Sequence, residues 1–299
     1  MSASLSPAGI IVPLITPVTA EGQLDEPAAE RLVGHVAGAG CGLLVAGTTG
    51  EVASLPSALR ERYVEIAVRI AAKRVPVFAC IAHNSLDEAV ALGRRHLVQG
   101  ADALVGMLPN YFKLEPAEMQ RYFALLADRV GGALYLYNMP ATTGMSLPLD
   151  AIDALARHPS IVGMKDSEPT AGRREAVAQR FGGRGDFALF MGVAAHAVPA
   201  LRLGFHGIVP SSGNYAPALW RDLHAAAKAG DWNRAETLQT RALALGAVFQ
   251  NGRALGSSLA ALKAGVSRLG ICGPHMLPPL AALAAAEQRQ VHEQLSQLS

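Results

Sequence analysis

Eight short apolar runs recur along the chain, and a helical pattern follows each one. The runs are GIIVPLITP (9–17), CGLLVAG (41–47), VPVFACIA (75–82), ADALVGML (101–108), ALYLYNMP (133–140), IVGMKDS (161–167), FALFMG (187–192) and GFHGIVPSS (204–212). They are nearly continuous in apolar residues rather than alternating, the mark of strands covered on both faces. Amphipathic stretches lie between them at 25–38, 57–73, 85–99, 115–130, 148–158, 169–181, 194–203 and 217–229. Ser85 and Glu88 have the spacing of a capping box. Pro148, Pro169 and Pro217 stand where a first helical turn accepts proline. Eight strand–helix units predict an α/β fold, a (β/α)8 TIM barrel over residues 1–230. A doubly wound open sheet alternates in the same way, but no strand here is followed by GxGxxG. Gly38, Gly40 and Gly42 precede a strand and read as a helix end and tight turn. From Asp231 the strand signal stops, so 231–299 is expected to be a helical extension.

Composition narrows the function. The 299 residues are 51% hydrophobic, enough for one large core. A net charge of +2 gives no electrostatic reason to expect nucleic acid or an anionic membrane, and 5% aromatics make a base-stacking surface unexpected. The three cysteines, Cys41, Cys80 and Cys272, form no CxxC pair, which fits a reducing cytoplasm. The nine histidines show neither HxxxH nor HxH, so no metal site is expected. The start MSASLSPAGI lacks the build of a signal peptide, and the long uncharged run 130–149 is broken by Asn138, Pro140, Gly144 and Pro148, so no membrane span is expected.

In a barrel, function collects at the C-terminal ends of the strands. Lys165 stands near the end of the sixth run. Burial favours the neutral form of an amine, and a neutral amine attacks a carbonyl carbon to give a Schiff base. A lysine at a strand edge, paired with Asp166 or Glu168 and facing solvent, is an equally good reading of the strand alone. The second run ends in GTTGE (47–51), whose glycines allow close approach of a ligand and whose Thr48 and Thr49 offer hydroxyl donors. An ordinary polar turn accounts for it as well. Tyr137 ends the fifth run, either as an acid–base phenol in the barrel mouth or as a core tyrosine.

Taken together, GTTGE, YN-x-P-x-x-TG and G-x-KD, with Lys165 28 residues after Tyr137, resemble the dihydrodipicolinate synthase and N-acetylneuraminate lyase superfamily. The resemblance runs through the barrel into the tail. It implies class I chemistry, in which pyruvate or another 2-oxo acid forms a Schiff base with Lys165 and a C–C bond to an aldehyde is made or broken. It also implies no cofactor and no metal. Tyr137 becomes the proton shuttle. Thr49 hydrogen-bonds its phenol, and Thr48 and Thr49 hold the pyruvate carboxylate. Tyr111 matches a tyrosine that reaches into a neighbouring subunit's site, which implies a homo-oligomer, a dimer or tetramer. Gly192 and Val209 line the pocket.

Two positions depart from the family pattern. The arginine of YN-x-P-x-R-TG, which grips the second substrate's carboxylate in the synthases, is Thr142 here. After Gly192 come Val193 and Ala194 where relatives carry acidic residues, with His196 the next polar side chain. These changes direct the expectation to a small aldehyde, from a 4-hydroxy-2-oxo acid or a short 2-oxo-3-deoxy sugar acid. A dihydrodipicolinate synthase with an unusual grip, supplied for instance by Arg253, is the alternative, and a non-catalytic pyruvate-binding paralogue is a third reading.

Overall fold

The computed structural model describes residues 9–298. Its elements alternate as β1 (Gly9–Pro13), α1 (Glu26–Gly38), β2 (Gly42–Val45), α2 (Ser57–Ala71), β3 (Val77–Cys80), α3 (Leu86–Val98), β4 (Ala103–Met107), α4 (Pro116–Val130) and β5 (Leu134–Asn138). They continue as α5 (Pro140–Thr143), α6 (Leu149–Leu155), β6 (Ile161–Asp166), α7 (Arg173–Phe181), β7 (Ala188–Met191), α8 (Ala197–Arg202), β8 (Gly207–Ile208) and α9 (Pro217–Lys228). Three helices finish the chain, α10 (Trp232–Gln250), α11 (Leu255–Ser267) and α12 (Ala285–Gln297). The strands join in chain order into a closed parallel barrel, the expected (β/α)8 fold with a C-terminal helical region. Strands buried on both faces explain why the runs carry so few polar residues.

The chain groups into two compact units, one running through Phe78–Val209 and the other through Ile11–Val77 and from Pro210 onward. In the first, β5, β6 and β7 lie side by side, with Tyr135 opposite Gly163 and Gly163 opposite Ala188, then Tyr137 opposite Lys165 and Lys165 opposite Phe190. Parallel partners in register project to the same face, so these rows form two successive layers. The Tyr135 ring packs edge-to-face on Phe78 at 5.2 Å and on Phe190 at 5.9 Å between centroids. Gly163 makes room for this ring, because a Cβ there would overlap both the Tyr135 ring and the Ala188 carbonyl oxygen.

The register depends on a bulge. Leu134 pairs with Ile161 and Tyr135 with Gly163, so Val162 is an extra residue in β6. Without it Tyr137 would face Met164. The bulge brings Tyr137 level with Lys165.

In the second unit α9 packs on α10, α10 on α11, and α11 on α12. Asn214, fully buried, accepts from Ile15 N and donates to Pro13 O and Ser211 O.

Several boundaries differ from the sequence expectation. The helix expected from 169 begins at Arg173, because Gly172 takes a left-handed φ of 78° at its N-cap, so Pro169 lies in the preceding loop. Pro148 is the N-cap of α6 rather than inside its first turn, whereas Pro217 does open α9. Ser85 Oγ accepts from Glu88 N at 3.4 Å, the forward half of a capping box. The tail is not helical throughout: between α11 and α12 the stretch 271–284 has no helix, and Gly273, Pro274, Pro278 and Pro279 are strong breakers there.

Candidate active site

Lys165 is the next-to-last residue of β6, and Tyr137 is the next-to-last of β5. Both are buried, 7% and 3% exposed, and the lysine Nζ lies 4.0 Å from the centroid of the tyrosine ring. The two groups that the chemistry needs stand side by side.

The carboxylates beside the lysine are occupied elsewhere. Asp166 Oδ2 accepts from Arg173 Nε at 2.9 Å, and Oδ1 accepts from Asn138 Nδ2 at 3.0 Å and Glu168 N at 2.9 Å. Glu168 Oε2 accepts from Ser146 Oγ at 2.6 Å and Asn138 Nδ2 at 2.9 Å. Asn138 Oδ1 and Arg173 Nη1 both reach Leu147, at its N–H and its carbonyl. Burial alone would raise the Glu168 carboxyl, but hydrogen bonds from Ser146 and Asn138 and the Arg173 charge outweigh it and hold the pKa below the usual value. The ion pairs of Asp166 and Glu168 therefore go to Arg173, and the solvent-edge pairing considered for Lys165 is set aside. Sequence reasoning missed this network. Its only signal was the asparagine next to Tyr137 in the quoted motif.

The β5–α6 connection carries Thr142 in the short helix α5, which the sequence pattern does not predict. Its Oγ1 donates back to Met139 O at 3.2 Å, so this hydroxyl's proton closes the turn. Lys113, on the same loop as Tyr111, donates to Thr143 O at 2.6 Å and caps the carbonyl end of α5. Tyr111 itself is 79% exposed and Phe112 72%, with rings edge-to-face at 5.0 Å. Together with Asn84, Pro109 and Leu114 they line a cleft of about 380 Å³.

At the end of β7, Gly192 N donates to Asp166 O at 2.7 Å, and a Cβ on Gly192 would overlap Ser167 Oγ. Val209 is buried and its N–H donates to Met191 O at 2.8 Å. His196 follows in a one-turn helix, with Nδ1 buried and unpartnered among the described residues. Burial first and then the Arg174 charge push its pKa below the ordinary histidine value, against Glu175.

Within the second unit, Thr48–Gly50 form a single 3₁₀ turn, separated from β2 by Ala46 and Gly47, and Thr49 is buried. Ala46 and Glu51 flank it with left-handed φ of 56° and 63°. Non-glycine residues hold such angles at a cost, which persists where surrounding structure enforces it. Arg253, in the connection after α10, donates from Nη1 to Val248 O at 2.9 Å, near the end of that helix.

Among the described residues no three His, Cys, Asp or Glu stand where they could hold a metal ion, and no helix is long and apolar enough to cross a membrane.

A closed (β/α)8 barrel whose sixth strand ends in a buried lysine beside a buried tyrosine of the fifth defines a lyase of the class I aldolase type. The chain belongs to the dihydrodipicolinate synthetase family, whose model matches residues 6–298. It is 34% identical over 292 residues, 97% of this chain and 98% of the relative, to a 4-hydroxy-tetrahydrodipicolinate synthase of Acidiphilium cryptum. Among solved structures it resembles dihydrodipicolinate synthase of Bacteroides thetaiotaomicron, with a TM-score of 0.92 at 32% identity, covering 97% of this chain and 98% of that one. It also resembles YagE, a prophage protein of the same family from E. coli K12 solved in complex with pyruvate, with a TM-score of 0.91 at 30% identity and the same coverage.

Proposed function

We propose that the protein forms a Schiff base between Lys165 and pyruvate, or the pyruvate end of a longer 2-oxo acid, and makes or breaks a C–C bond to a small aldehyde. The observation that carries this is the buried Lys165 amine over the Tyr137 ring at 4.0 Å. In the cleavage direction the amine adds to the C2 carbonyl and water leaves, giving an iminium ion. The iminium is an electron sink for the C3–C4 bond pair. Tyr137 takes the C4 hydroxyl proton as the aldehyde departs, and the resulting enamine is protonated at C3. Hydrolysis then returns the amine and releases pyruvate.

In this reading Thr48 and Thr49 hold the carboxylate, Thr49 steadies the phenol, and Gly192 and Val209 line the pocket. Tyr111 completes the relay from a neighbouring subunit, which makes the protein a homo-oligomer; its exposure beside Phe112 supports this. The three buried free cysteines suit a reducing cytoplasm.

The second substrate follows from Thr142. A hydroxyl that already donates to Met139 O is a poor substitute for a bidentate guanidinium. A small aldehyde, from a 4-hydroxy-2-oxo acid or a short 2-oxo-3-deoxy sugar acid, fits better than aspartate semialdehyde. The names of the curated relatives support the synthase as the second reading.

Borohydride reduction in the presence of pyruvate should add a stable adduct to Lys165, read by peptide mass spectrometry. Lys165→Ala should lose it. Tyr137→Phe should keep the adduct while turnover falls roughly 10²- to 10⁴-fold. An adduct on another lysine, or none, defeats the mechanism. Pyruvate release from a panel of 4-hydroxy-2-oxo acids and 2-oxo-3-deoxy sugar acids, compared with condensation of pyruvate and aspartate semialdehyde, separates the two readings. Turnover of neither points to a non-catalytic paralogue.

A further inference from the structure

Two buried charges take no part in this mechanism. Glu51 and Lys263 are each 1% exposed and form an ion pair across 212 residues of sequence. Glu51 Oε1 accepts from Lys263 Nζ, and its Oε2 accepts from Leu277 N at 2.8 Å. Lys263 Nζ also donates to His275 O at 2.7 Å. Both carboxylate oxygens are thus committed. Burial draws the lysine pKa down, and the Glu51 charge opposes this. Removing two ions from water is expensive, so such a pair is weak evidence for stability as its purpose.

The location of the pair suggests another role. Glu51 immediately follows the turn that bears Thr48 and Thr49, and its backbone N–H closes that turn on Thr48 O at 3.1 Å. Its left-handed φ of 63° aims the side chain from the turn to α11. The neighbouring backbone is held from two other elements. Thr16 Oγ1 donates to Gly50 O at 2.7 Å, and the buried Arg60 of α2 donates to Val52 O and Leu55 O. A Cβ on Gly50 would meet Leu14 O at 2.9 Å, so the turn has little freedom to slide. Of these anchors the ion pair alone joins it to the C-terminal helices.

We infer that Glu51 and Lys263 are positioning residues that set the Thr48–Thr49 hydroxyls for the 2-oxo acid carboxylate, so that α11 and the His275–Leu277 segment take part in substrate recognition. This rests on the reading that those two threonines hold the carboxylate. The helices after residue 231 then do more than extend the barrel: they supply one side of the clamp on a substrate-binding turn.

The test uses the full chain and separates position from stability. Glu51→Gln and Lys263→Met each leave one buried group unmatched and should lower the melting temperature. The double variant restores electrical balance and should recover much of that loss. Glu51→Asp keeps the charge but shortens the reach by one methylene, drawing the turn toward α11. Borohydride trapping is titrated with pyruvate for each protein. The expected result is that Glu51→Asp and the double variant require about tenfold or more pyruvate for half-maximal adduct, with the adduct still on Lys165 at saturation. Pyruvate titrations within twofold of wild type for Glu51→Asp overturn the inference, whether or not the double variant folds. No adduct on the wild-type protein refutes the underlying mechanism instead, and this inference with it.

Discussion

Lys165, Asp166 and Glu168 lie within four residues of one another, and their charges do not pair as the sequence invites. Arg173, from the next helix, takes both carboxylates, which leaves the lysine to the tyrosine. The placement of Tyr137 and Lys165 near strand ends was legible because each stands late in an apolar run, where a polar group needs a reason. Ser146 and Arg173 were not legible, since their roles depend on how two loops fold over the ends of β5 and β6. Glu168 offers a check. Its pKa is held below the usual 4.5 in the folded protein. The stability it contributes is therefore fully present above that value and is lost as pH falls through the lower, folded-state pKa. Glu168→Gln should destabilise the protein at pH 7 by about 1–3 kcal/mol, through weakened charge-assisted hydrogen bonds. The wild-type and variant melting temperatures should converge as pH falls below 4.5 and through that lowered pKa. Parallel curves over that range would show that the Glu168 charge is not involved.

At the scale of elements, the order of the eight strands and the longer helices was readable, because a buried strand and an amphipathic helix leave different periodicities. The bulge at Val162 was not. Counting from Ile161 in simple register puts Lys165 opposite Asn138, and only the extra residue moves it opposite Tyr137. Hydrophobicity cannot reveal this, since every residue from Ile161 to Met164 suits a buried strand. The short helix α5 was also missed, because four residues give too little pattern. Gly163, which follows the bulge, is the sensitive point. A methyl group there meets the Ala188 carbonyl and the Tyr135 ring, and neither can retreat without moving β7 or the aromatic layer. Gly163→Ala should cost about 1–3 kcal/mol, seen as a lower midpoint in urea unfolding. It should also slow adduct formation on Lys165. A variant as stable as wild type would mean the strands can spread to admit the group.

For the whole molecule, the eightfold alternation of strand and helix indicated the class of fold, while the exposed aromatics of the β4–α4 loop speak to assembly. Tyr111 and Phe112 together expose a surface that a solitary chain would leave wet. Sedimentation velocity should find an oligomer, and replacing both residues by serine should shift it to smaller species while the circular dichroism spectrum is retained. A wild-type monomer at micromolar concentration would remove Tyr111 from the relay. The tail was read as helices alone, and that reading could not show that its one fully buried lysine answers a glutamate 212 residues earlier. The pair also bears on inheritance. Losing either partner strands a charge in the interior, at about 3–5 kcal/mol, against a total stability of roughly 5–15 kcal/mol for a typical protein. A lineage can hardly cross that valley one substitution at a time. Positions 51 and 263 should therefore change together among descendants of this chain, or not at all, and two distant stretches of the gene share one fate.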